Sequence, residues 1–174
     1  MLDSKYIYIG VSLTVSLCVM ANCYLIECCN LTGVKCLIDL RIERNKDMIF
    51  HHILVFAMIH YLNQHPEIEN INEFISLLLS TEISSVFLNL NNLLKNSVVK
   101  KVNKMAFVST FYYYRIYKYS YLLMDKNVYN ALIVYSRNKF EYCEIYFGLY
   151  GLYILNLYWG GLILKKCIKP FIKN

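Results

Sequence analysis

The chain has 174 residues, of which 57% are apolar or aromatic and only 17% charged, where an ordinary soluble domain carries about 25% charged residues. That balance, together with long uncharged runs, argues against a soluble domain and for a single integral membrane domain over residues 1–174. The net charge of +6 sits in loops that flank the apolar runs, as membrane topology demands, so the excess does not imply nucleic acid as a partner.

The first apolar run, 6–26, lacks a basic leader and continues into Glu27, Cys28 and Cys29, so it reads as a retained span rather than a cleaved signal. Seven cysteines occur, with no CxxC pair, which suits apolar filler in membrane helices; Cys28 and Cys29 at a span end are also placed for palmitoylation. A basic loop with Lys35, Arg41, Arg44 and Lys46 leads to a second span, 48–63. The next loop is acidic, with Glu67 and Glu69. The third span, 74–94, contains Glu82, Asn89, Asn91 and Asn92 and ends in a loop with Lys95, Lys100, Lys101 and Lys104. The fourth, 105–124, is rich in tyrosine and interrupted by Arg115 and Lys118. Residues 128–136 are too few to cross, and a fifth span, 145–164, precedes Lys165, Lys166, Lys169 and Lys173.

The positive-inside rule places the three basic segments in the cytosol and the acidic loop outside or in a lumen. Five spans with a luminal N-terminus and a cytosolic C-terminus satisfy this. The sequon Asn30-Leu31-Thr32 then lies in the cytosol and stays unmodified.

Ionisable groups within spans are costly and therefore informative. His51 and His52 open the second span; adjacent helical positions differ by about 100°, so one imidazole can face inward. There it can act as base, nucleophile or ligand, or simply sit at the interface. His60 and His65 lie nearer the far end and are expected at the interface. Glu82, Ser85 and Asn89, bordered by Thr81 and Asn92, share one face of the third span. This stripe serves either interhelical hydrogen bonding or a cavity for a polar head group. Arg115 needs a carboxylate, a phosphate or water; Glu82 and Glu27 are the protein candidates, and a lipid phosphate is the ligand candidate. No HExxH spacing accompanies His51, His52 and Glu82, so no metal is expected.

In order and spacing these features resemble the TLC-domain family, which includes ceramide synthases, translocon-associated chain proteins and several lipid-homeostasis proteins. Phe50-His51-His52-Ile53-Leu54 is similar to the family's His-His motif. The stretch from Thr81 to Leu90 is similar to the TEIS-x-x-F-x-N-L form of its non-ceramide-synthase branch. Phe111 to Arg115 and Leu155-Asn156-Leu157-Tyr158-Trp159 resemble that branch's later helices, and Asn22 to Glu27 a GYF-x-x-D segment. Where ceramide synthases carry H-D-x-x-D-x-x-L-E, this chain has Thr81, Glu82, Ser85 and Asn89, which departs from the sphingoid-base acylation pattern.

The expectation is an all-α, polytopic transmembrane bundle of about five spans, a truncated TLC-domain core. The resemblance implies a membrane protein, in the endoplasmic reticulum, that binds or senses lipids and influences membrane lipid composition. Glu27, Glu82, Ser85, Asn89, Arg115 and Trp159 would line its lipid cavity. An enzyme of the acyl-CoA-dependent N-acyltransferase type is the alternative, with His51 and His52 catalytic and acyl-CoA as co-substrate. A structural or chaperone-like membrane protein is the third reading. No cofactor or nucleic acid is expected; the partners are membrane lipids, and a homo-oligomer is compatible with the sequence.

Overall fold

The computed structural model describes residues 45–65, 68, 71–126, 130 and 134–172, and among them every regular element is helical. The expected span 6–26, Glu27, the cysteine pair and the sequon lie outside the described residues, as does most of 128–136.

Helix α1 (Lys46–Gln64) begins where Asn45 accepts a hydrogen bond from the Asp47 amide, satisfying one of the amides a helix start leaves open. It covers the expected second span. The third span is not one helix. It is divided into α2 (Ile71–Ser80) and α3 (Ile83–Leu93) by a tight turn at Thr81 and Glu82. The backbone there switches to three-residue steps: the Thr81 amide reaches the Leu78 carbonyl, Glu82 that of Leu79, and Ser85 that of Glu82. Hydroxyls assist the change, since Ser80 donates to the Leu77 carbonyl and Thr81 to that of Leu78.

A short connection leads to α4 (Ser97–Thr110), capped by the Asn96 side chain, which accepts from the Val98 and Val99 amides. The chain continues without a break through a π-helical segment (Phe111–Lys118) into α5 (Tyr119–Met124). The expected fourth span, 105–124, is therefore the later part of a longer rod. Just before the π segment, Thr110 donates to the carbonyls of Ala106 and Phe107, competing with the helical ladder where its register changes.

Helix α6 (Lys139–Ile172) has 34 residues and is about 50 Å long, well beyond a hydrocarbon core of about 30 Å. It starts earlier than the apolar pattern suggests because Asn138 caps it, accepting from the Phe140 and Glu141 amides.

The most extensive packing is α1 against α6, followed by α3 against α4. Leu54, Met58, Ile59 and Leu62 of α1 meet Ile145, Leu149 and Leu152 of α6, with Phe74, Ile75, Leu78 and Tyr119 closing the core. Two glycines permit the close approach: a methyl group on Gly148 would fall within the Met58 thioether, and one on Gly151 would press on Leu54. In α4, Asn103 donates to the Phe87 carbonyl of α3 at 2.7 Å, pinning that hairpin. By length and composition, 74–91 and 139–169 are the described stretches apolar enough to cross a membrane. A five-span count is not established by these elements.

Candidate functional site

The two helical irregularities face each other, and Arg115 joins them. Its side chain is only 4% exposed. Nε donates to the Thr81 carbonyl at 3.0 Å and to Ser84 Oγ at 2.8 Å. Nη2 donates to Ser85 Oγ at 2.9 Å and to Glu82 Oε1 at 3.4 Å, and Nη1 to Asn156 Oδ1 at 3.4 Å. The turn at 81–82 takes the Thr81 carbonyl out of the regular ladder and makes it available to the guanidinium. Glu82 stands at the start of α3, so the helix dipole and Arg115 both place positive potential on its carboxylate. The Phe111 ring lies 5.7 Å from the guanidinium carbon and covers one face of the plane.

Above this clasp opens a cavity of about 720 Å³, within the range that houses small ligands. His51, His52, Glu82, Ser85, Arg115 and Trp159 all border it. The imidazoles are buried, and the His51 ring lies 5.4 Å from that of His52 and 5.3 Å from Trp159. Leu88, Phe107, Val108, Leu162 and Ile163 form an apolar wall, and Asn45, Asp47, Lys104 and Lys166 stand around the rim. Lys104 of α4 and Lys166 of α6 thus border the cavity from two helices.

Of the residues singled out in the sequence, Asn89 is half-buried on α3 and does not border the cavity, whose α3 lining is Ser84, Ser85, Leu88 and Asn91. Glu27 lies outside the described residues. Ser84 and Asn156 were not singled out, yet both bind Arg115. An asparagine within the otherwise apolar 145–164 run was the available signal for Asn156; nothing in the pattern separates Ser84 from its neighbours.

The far end holds a second polar group. His65, expected at the interface, is fully buried, with Nε2 3.3 Å from Glu141 Oε2 and its ring 4.6 Å from that of Tyr61. The early start of α6 carries Glu141 over it. His60 is exposed, 3.4 Å from Glu144.

An all-helical bundle with long apolar helices and a polar-floored cavity is consistent with a membrane protein. The TLC-domain profile matches residues 33–165, more than half the chain, and the protein belongs to the TLC-domain family. The match does not distinguish branches within the family. Comparison with curated proteins and with solved structures gives no match.

Proposed function

We propose that this protein binds or senses a membrane lipid in the cavity between α1, α3, α4 and α6, and thereby influences membrane lipid composition. The observation that carries this reading is the cavity itself: about 720 Å³, with imidazoles and hydroxyls on its floor and an apolar wall above them. An amphiphile needs both surfaces, whereas a small polar metabolite would leave the wall unused. In this reading the five expected spans cross the endoplasmic reticulum membrane, with the basic rim in the cytosolic leaflet.

A second reading is acyl transfer, favoured by His51 and His52 lying buried beside the same cavity. A neutral imidazole there could take a proton from an attacking amine or hydroxyl as the acyl–thioester bond of an acyl-CoA breaks. Lipidomics of cells expressing wild type or His51→Ala/His52→Ala at matched abundance separates the two. Binding alone predicts no new lipid product that depends on the histidines. A product present with wild type and absent with the variant would favour the enzyme.

A further inference from the structure

We propose that the cavity recognises its lipid by a terminal phosphate, held at the rim between Lys104 of α4 and Lys166 of α6. This rests on the lipid-binding reading and specifies its head group.

Arg115 is the obvious anion binder in the sequence, yet its guanidinium is engaged by Thr81, Ser84, Ser85, Glu82 and Asn156. Its charge is already balanced by Glu82. A ligand anion on the floor would meet that carboxylate as well, so little net attraction remains there.

The rim differs. Lys104 and Lys166 border the same cavity from different helices, and both are exposed. Their long stems can lie along Phe107, Leu162 and Ile163 while the ammonium groups stay in water. Lysine is a flexible point charge suited to phosphate, whereas arginine is the residue for a fixed fork. Two ammonium groups match a phosphomonoester, which carries about 1.5 to 2 negative charges near neutral pH. Asp47 stands on the α1 side of the rim and repels a phosphate, which directs the anion to the α4–α6 side. The apolar wall between the lysines and the histidine floor then takes the adjoining acyl chain.

The test uses the full-length protein purified in neutral detergent, with short-chain phosphatidic acid and phosphatidylcholine as the two probes. Affinity is followed by native mass spectrometry at two salt concentrations. Phosphatidic acid should bind more tightly, and less so at high salt. Lys104→Gln and Lys166→Gln should each weaken it about fivefold without altering phosphatidylcholine binding. Lys139→Gln, exposed at the opposite end of α6 from Lys166 and not in the cavity lining, should leave the preference intact. Equal affinity for the two lipids, or a preference that survives in the double lysine variant, overturns the phosphate assignment while leaving lipid binding standing. Failure of both lipids to bind a protein with an unchanged melting temperature overturns both.

Discussion

Arg115 stabilises through what its removal would expose. A buried ion pair is often no better than well-packed apolar residues, but deleting one partner strands the other. Arg115→Met leaves Glu82 buried and takes a donor from four other acceptors, of which the Thr81 carbonyl keeps only the Ser84 hydroxyl. The expected cost is about 3–5 kcal/mol, read as loss of monodisperse protein and a lower melting temperature in detergent. Adding Glu82→Gln should recover part of that loss; no recovery would mean that the charge pair is not the source. Arg115→Lys should fare only slightly better than Met, since one ammonium group cannot replace a planar fork reaching five acceptors. The two histidines at the far end should differ in the same assay. His65→Phe removes a buried partner of Glu141 and should cost about 1–2 kcal/mol, whereas His60→Ala breaks an exposed contact and should be nearly silent.

At the scale of elements, α1 and α6 are held by shape. Gly148 leaves no room for a side chain against Met58, while a methyl group on Gly161 meets open space. Gly148→Leu should therefore destabilise the bundle by about 1–3 kcal/mol through overpacking. Gly161→Ala should be neutral or stabilising, because alanine is the better helix former. Melting temperatures of the purified variants measure the difference. The elements also show where the sequence was silent. Apolar runs located α1, the later part of the 97–124 rod and most of α6, because membrane-length hydrophobicity is a coarse and strong signal. The break at Thr81 and Glu82 contains neither proline nor glycine, the usual marks of a kink. It is set by local hydroxyl–carbonyl bonds of Ser80 and Thr81 and by Arg115 donating to the Thr81 carbonyl, which is a tertiary contact. The π segment is equally hidden, because its residues are ordinary helix occupants and its long-range ties, through Arg115 and from Tyr112 to the Gly160 carbonyl, appear only in the fold. The stripe of Glu82, Ser85 and Asn89 was legible as polar. That Leu88 and Asn91, and not Asn89, would continue the cavity lining from Ser85 was not, since that depends on how α3 packs against its neighbours.

Across the whole molecule, polar residues are sorted by depth. Among the described residues, Lys104 and Lys166 stand at one rim, the Arg115 clasp with His51 and His52 lies within, and the His65–Glu141 group closes the other end. The clasp ties together α3, the π segment and α6, so the cavity floor is rigid where the ligand would rest. In the proposed reading the buried charges serve architecture and the space above them serves binding. The measurement that bears most directly on this account is native mass spectrometry of the purified full-length chain beside Val108→Trp, which places an indole in the cavity wall without touching the Arg115 clasp. One retained amphiphile per chain is expected in the wild type and its loss in the variant, with folding unchanged. Equal lipid retention by both proteins would contradict it and leave the cavity a feature of packing.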